Sequence, residues 1–194
     1  MGVGAGMNSA PRAVFLDRDG VLNRAVVRDG KPYPPASVAE LEIVEGAAAG
    51  MARLKNLRFL LFVVTNQPDI ARGKQTLDEI HAMHTTLRQT LPIDEFFICP
   101  HDDRDGCQCR KPAPGLMFEA RERYGIDLSR SFLIGDRWRD IDAGRVAGCR
   151  TVWIDCRYHE RAPSAAPDAR VLSLSEAVDW IVRNSEGNDD CGHQ

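Results

Sequence analysis

Arg12-Ala13-Val14-Phe15-Leu16-Asp17 is a short apolar run that ends in a carboxylate, and Arg18-Asp19-Gly20 follows it directly. Such a run reads as a strand buried on both faces that hands Asp17 to a loop. Outward from it the pattern alternates. Residues 46–56 are Ala-rich with apolar positions at helical spacing, and Phe59–Val64 is a second buried strand running into Thr65-Asn66. Thr76–Thr90 reads as a helix, Glu95–Ile98 as a strand, and Pro114–Tyr124 as a helix with proline at its start. Ser131-Phe132-Leu133-Ile134-Gly135-Asp136 is another strand ending in a carboxylate; a helix from about Ile141, the strand Thr151–Ile154 and a last helix over 175–183 follow. The stretch 28–37, with its prolines and glycine, is expected to be loop. This alternation calls for an α/β fold, a parallel sheet with helices on both faces and right-handed crossovers. Ligands of such sheets bind beyond the carboxyl ends of the strands, where Asp17, Thr65-Asn66 and Gly135-Asp136 all fall.

A chain of 194 residues is long enough for one domain with a continuous core. We place it at 11–184, between a small, Gly-rich tail at 1–10 and a polar, flexible tail at 185–194. The 25 Lys+Arg against 28 Asp+Glu give net −3, which argues against a broad basic surface that grips nucleic acid through its phosphates. No apolar run approaches ~18 residues, and Met1–Gly6 lacks both a basic and an apolar leader segment. The expectation is a cytoplasmic monomer with no membrane or nucleic-acid partner, acting on a small phosphorylated metabolite.

Asp17 and Asp19 stand two residues apart just after a buried strand. A carboxylate in that position can attack phosphorus and split hydrolysis into two displacements through an aspartyl-phosphate. Mg²⁺, held by one or two carboxylates plus phosphate oxygens, keeps the anions from repelling one another, and Asp136 is the natural second metal carboxylate. Thr65, backbone N–H groups and Lys111 of Arg110-Lys111-Pro112 can serve the equatorial phosphoryl oxygens. A D-x-D after a strand is by itself often only a capped turn; four elements in order weigh more.

Asp17-Arg18-Asp19-Gly20-Val21, Thr65-Asn66-Gln67, Arg110-Lys111-Pro112 and Gly135-Asp136-x-x-x-Asp140 together resemble the four motifs of the haloacid dehalogenase superfamily of phosphatases. The similarity runs from about Arg12 to Asp155. It implies a Rossmann-like domain with Asp17 as nucleophile, Asp19 as general acid and base, and Thr65 and Lys111 holding the phosphoryl group. It also implies that Asp136 and the Asp19 carbonyl bind Mg²⁺ alongside Asp17, with Asp140 supporting the metal site and Asn66 and Gln67 near the substrate. Pro68-Asp69 departs from the small residue and glycine that many relatives carry after this second motif.

Cys99-x-His101, five residues, then Cys107-x-Cys109 offers one imidazole and three thiolates, the Cys₃His set of a closed structural Zn²⁺ site. The alternative is a surface loop of reduced cysteines. A zinc site here would brace the loop that delivers Arg110 and Lys111. A zinc-braced loop before Arg-Lys-Pro resembles the small cap-less branch of the superfamily that contains D-glycero-D-manno-heptose 1,7-bisphosphate phosphatases and histidinol-phosphate phosphatases. That resemblance implies removal of the 7-phosphate of the heptose bisphosphate, with Arg110 contacting substrate. The short loop between His101 and Cys107 is closer to the histidinol-phosphate enzymes, which makes that substrate the alternative. Asp29–Pro35 could line the mouth of the site.

His81 and His84 are expected on an exposed helix face, Trp138 in the core, and Cys149 and Cys156 as inert core thiols. Arg137 could contact the metal region, and Arg157 and His159 could reach the rim. Two rival functions are an enzyme acting on a phosphorylated nucleic-acid end and a zinc-braced interaction module without catalysis. Net charge counts against the first, and the joint presence of Asp17, Asp19, Lys111 and Asp136 against the second.

Overall fold

The computed structural model describes residues 10–185; of the expected tails at 1–10 and 185–194, all but residues 10 and 185 lie outside the described residues. Six strands form one parallel sheet in the order β5-β4-β1-β6-β7-β8: β1 (Ala13–Leu16), β4 (Leu60–Asn66), β5 (Glu95–Cys99), β6 (Phe132–Gly135), β7 (Arg150–Ile154) and β8 (Ala169–Val171). Period-two alternation divides the central strands between two cores. Val14, Leu16, Leu61 and Val63 face helices α1 (Ala47–Asn56) and α5 (Leu174–Ser185), while Phe15, Phe62, Val64 and Leu133 face α3 (Gly115–Tyr124) and α4 (Trp138–Ala147). Phe15 and Phe62 are fully buried with ring centroids 5.8 Å apart, and each such side chain contributes roughly 1.5–3 kcal/mol by leaving water.

The expected alternation is present, with local differences that have physical causes. Helix α2 (Leu77–Thr90) starts after Thr76, whose hydroxyl accepts from Glu79 N at 3.2 Å while Glu79 Oε2 accepts from Thr76 N at 2.7 Å. Helix α4 begins at Trp138 rather than near Ile141, because Asp140 Oδ2 accepts from Arg137 N at 3.0 Å and caps the first turn. The stretch expected as loop carries the turn and second strand of an antiparallel hairpin, β2 (Val26–Arg28) and β3 (Lys31–Tyr33). Its two-residue turn, Asp29-Gly30, has φ of 51° and 73°, as a type I′ turn requires. Strand β8 was not expected, and Ser185, assigned to the tail, ends α5 buried, with its carbonyl accepting from Arg12. No helix among the described residues is long and apolar enough to cross a membrane.

Candidate active site

Strands β1, β4 and β6 lie side by side and end together, so Asp17, Thr65 and Asp136 reach one point at the carboxyl edge of the sheet. Asp17 N donates to Ile134 O at 3.0 Å, which ties the nucleophile candidate to the neighbouring strand. Lys111 arrives from the loop before α3 and is almost completely buried. Its Nζ donates to Asp17 Oδ1 at 2.8 Å and to Val64 O at 2.7 Å, and it pairs with Asp140 Oδ1 at 2.6 Å. Asn66 holds the lysine's main chain at both ends: Asn66 Nδ2 donates to Lys111 O at 3.0 Å, and Lys111 N donates to Asn66 Oδ1 at 3.1 Å.

Asp17, Asp136 and Asp140 each bring a carboxylate oxygen within 4.8 Å of the others. Burial pushes the Asp17 carboxyl up to about 6; Lys111 opposes this, and Asp140 and Asp19 reinforce it. Burial likewise drives Asp136 well above the usual carboxylate range, with Asp17 and Asp140 adding repulsion. Burial alone would lower Lys111, but the Asp140 and Asp17 carboxylates hold its charge above the ordinary lysine range. Both Asp136 oxygens are buried without a hydrogen-bond partner at ordinary distance, although the nearby Tyr158 hydroxyl favours the charged form. Two orphaned oxygens next to two more carboxylates are a donor set that a hard cation completes.

The Asp19 carboxylate stands apart from this cluster. Arg18 grips it with two prongs, Nε to Oδ1 and Nη2 to Oδ2, both at 3.0 Å. Asn23 Nδ2 donates to its Oδ1 at 3.0 Å and Gln67 Nε2 to its Oδ2 at 2.9 Å. Burial works against the charge, yet Arg18, Asn23 and Gln67 together hold the carboxyl below its ordinary range. Gln67, expected near substrate, is fully buried and also donates to Thr65 Oγ1 at 2.8 Å, so it bridges Thr65 and Asp19 from behind.

Cys99, His101, Cys107 and Cys109 converge as their spacing suggested. Five of the distances among the three sulfurs and His101 Nδ1 are 3.3–3.6 Å. Arg110 leaves this cluster with Nε donating to Asp103 at 2.8 Å and Nη1 to His101 O at 3.2 Å, and its side chain lines the mouth of the site. Lys31, Tyr33, Arg72, Lys74 and Arg139 line the same mouth, so the hairpin does wall it, as Asp29–Pro35 suggested.

Chain similarity places this geometry. A HAD-hydrolase-like family model matches residues 108–177. A D-glycero-beta-D-manno-heptose-1,7-bisphosphate 7-phosphatase from Pseudomonas aeruginosa is 36% identical over 73% of this chain and 79% of its own. This chain belongs to the haloacid dehalogenase family of phosphatases. An Escherichia coli 7-phosphatase of the same name is 34% identical to this phosphatase over 89% of it and 88% of the relative. Among solved structures, a D,D-heptose 1,7-bisphosphate phosphatase from B. bronchiseptica, complexed with magnesium and phosphate, superposes with a TM-score of 0.76 at 28% identity, covering 89% of this chain and 99% of that one.

Several side chains of this phosphatase depart from their sequence reading. His84 is buried, not on an exposed face: its ring stacks on Phe96 at 4.0 Å and its Nε2 lies 3.3 Å from Arg18 Nη1. Trp138 is only half-buried, because the Arg161 guanidinium covers its ring at 3.4 Å instead of apolar neighbours. Cys149 is a core thiol, but Cys156 is exposed on the loop after β7. Arg137 pairs with Glu160, and His159 N donates to Gly30 O at 2.8 Å, which joins the loop after β7 to the hairpin. Tyr158, which sequence reasoning missed, places its hydroxyl beside Asp136; it sits in an irregular loop whose course no periodicity announces.

Proposed function

We propose that this phosphatase is Mg²⁺-dependent, works through a phosphorylated Asp17, and removes the 7-phosphate of D-glycero-D-manno-heptose 1,7-bisphosphate. The observation that carries the reading is Lys111 set between Asp17 and Asp140 beside the orphaned Asp136 carboxylate, in a chain whose similar relatives bear that activity's name. Asp17, Asp136 and the Asp19 carbonyl would hold Mg²⁺, with Asp140 in support. When bound, the ion neutralises charge between carboxylates and phosphate and so permits one anion to approach another.

The chain's own residues then have distinct tasks. Lys111 engages Asp17 Oδ1 and leaves Oδ2 for attack. A P–O bond forms to Asp17 as the ester P–O bond breaks, and the departing alkoxide takes a proton from Asp19. Water then attacks the aspartyl-phosphate and gives its proton back to Asp19, releasing inorganic phosphate and restoring Asp17. Arg18, Asn23 and Gln67 favour the ionised Asp19 that the second displacement needs, so the first displacement draws on the minor, protonated form of Asp19, which is the stronger acid for the same reason. Thr65 Oγ1 and Lys111 Nζ face the phosphoryl oxygens, and their placement spends no energy on reorganisation during the reaction.

The mouth supports a second phosphate on the substrate. Of the cations that line it, Arg72, Arg110 and Arg139 already have carboxylate partners, whereas Lys31 and Lys74 have no ion-pair partner among the described residues. For the cysteine cluster we propose Zn²⁺. A tetrahedron with edges of 3.3–3.6 Å has its centre about 2.1 Å from each vertex, close to the reach of zinc to sulfur and imidazole nitrogen. With four protein donors the site is closed and structural, and it braces the loop carrying Arg110 and Lys111.

The test is steady-state phosphate release with Mg²⁺ across both heptose bisphosphate anomers, L-histidinol phosphate, other sugar phosphates and a phosphorylated oligonucleotide. We expect kcat/KM to be highest for a heptose bisphosphate and Asp17→Asn to abolish turnover. Preference for histidinol phosphate would overturn the substrate, and Asp17→Asn with intact metal-dependent turnover would overturn the nucleophile.

A further inference from the structure

Arg18 is the one cation of the site that neither touches phosphate nor reaches solvent in this scheme. It is fully buried, and two of its three guanidinium nitrogens, Nε and Nη2, are spent on Asp19. The third, Nη1, points away from Asp19 toward α2, where His84 Nε2 stands at 3.3 Å. Helix α2 turns His84 inward together with Ile80, Met83 and Leu87, all buried. Phe96 of β5 lies flat against the imidazole, with an interplanar angle of 11°. The ring is therefore held in place from two sides, by its own helix and by the edge strand.

We propose that His84 is a positioning residue for Asp19, acting through Arg18. The proposal rests on the reading of Asp19 as the general acid and base. The chemistry of the contact allows one arrangement: a guanidinium keeps its protons, so Nη1 donates and His84 Nε2 accepts, which leaves the imidazole proton on Nδ1. Burial and the neighbouring Arg18 charge hold the imidazole neutral, with its pKa pulled down to about 3, so the acceptor persists throughout the working pH range. A planar guanidinium fixed on one edge by an acceptor has only one orientation for the other edge, and that edge is the pair of donors facing Asp19. Removing the acceptor leaves a buried charged N–H unsatisfied and lets the plane rotate to seek another partner, carrying the Asp19 carboxylate with it. The main chain of Arg18 does not compensate, because its hydrogen bonds come from the backbone N–H groups of Val21, Leu22 and Asn23 to its carbonyl and do not fix the side chain.

The experiment compares His84→Leu and His84→Met, which have no nitrogen acceptor, with His84→Gln, whose side-chain oxygen can accept from Nη1. Two quantities are read in each folded variant: kcat and KM for phosphate release, and the hydrogen-exchange rate of the Arg18 Nε–H by ¹⁵N NMR. Loss of a hydrogen bond to a charged group corresponds to about a tenfold fall in kcat for the Leu and Met variants with KM little changed, and the Gln variant recovers to within about threefold of wild type. Arg18 Nε–H exchange accelerates in the Leu and Met variants and stays slow in the Gln variant. The proposal is overturned if all three variants lose kcat alike, or if Arg18 exchange in the Leu or Met variant matches wild type. Should wild type hydrolyse no phosphate ester, the proposed function falls, while the exchange rates still decide the positioning role. The methionine variant preserves the test if leucine prevents folding.

Discussion

Gly20→Ala perturbs the carboxylate cluster without removing a polar group. Gly20 lies at φ +93°, and a Cβ there would stand 1.9 Å from Asp136 Oδ2 and 2.6 Å from its Cγ. Ordinary contact begins at 3.4 Å, so the carboxylate must retreat by about 1.5 Å, and the Tyr158 hydroxyl, 3.1 Å from the same Cβ, crowds the site further. A misplacement of about 1 Å in catalytic geometry costs on the order of 100-fold in rate, so kcat/KM should fall by about that factor or more. The left-handed backbone adds about 1–2 kcal/mol of destabilisation once a Cβ is present. Gly73→Ala separates the two effects, since Gly73 has φ +67° and nothing within 4 Å of its Cβ position. It should lose similar stability and keep full activity. The assay is a Mg²⁺ titration of phosphate release for both variants, with urea denaturation for stability. Activity of Gly20→Ala within about threefold of Gly73→Ala would refute the assignment of Asp136 as a positionally demanding metal carboxylate.

In the metal-free protein the Asp17 carboxyl is raised from 3.8 to about 6, so the unfolded chain ionises first as pH rises and this site lowers stability progressively from about pH 4 to pH 6. Asp17→Asn in chelator should therefore gain up to about 3 kcal/mol at pH 7 and almost nothing at pH 4 by urea denaturation, and an equal gain at both would contradict the shift. Cys109→Ser should lose the Zn²⁺ proposed for the cluster, read by mass spectrometry, and lower kcat by loosening Lys111; full turnover by the metal-depleted protein would remove the proposed bracing role. Asn66→Ala deletes both hydrogen bonds to the Lys111 main chain, and we expect about 1–3 kcal/mol of lost stability in urea denaturation. Lys74→Ala should raise KM for a bisphosphate more than for the matching monophosphate, with kcat unchanged, in paired steady-state assays.

What the sequence made legible follows from burial. Central parallel strands are apolar on both faces, so Val14–Leu16 and Leu61–Val64 announce themselves as runs, and the polar residue that ends each run marks the sheet's carboxyl edge. The Cys/His cluster was legible because its four donors fall within eleven residues and need little tertiary context. The hairpin escaped because its strands have three residues each and are largely exposed, although Asp29-Gly30 carried a turn signal. Strand β8 is equally short and lies at the sheet edge. The start of α4 was hidden by Trp138-Arg139-Asp140, which breaks the apolar period while supplying its own cap. His84 was misplaced for a different reason: a histidine among threonines on a helix looks solvated until β5 presents Phe96 and the active-site turn presents Arg18.

One joint at the mouth bears on how this scaffold could diversify. A Cβ at Gly30 would strike the His159 ring at 2.3 Å, and His159 N donates to Gly30 O. The gap between the hairpin and the loop after β7 is thus set by a residue that has no side chain and takes no part in the chemistry. A single change at position 30 would prise the two walls apart while the sheet kept Asp17 and Asp136 in place and Asn66 kept Lys111. Substrate range and catalytic power are in this sense separately heritable, and a descendant could explore bulkier esters without first surrendering turnover.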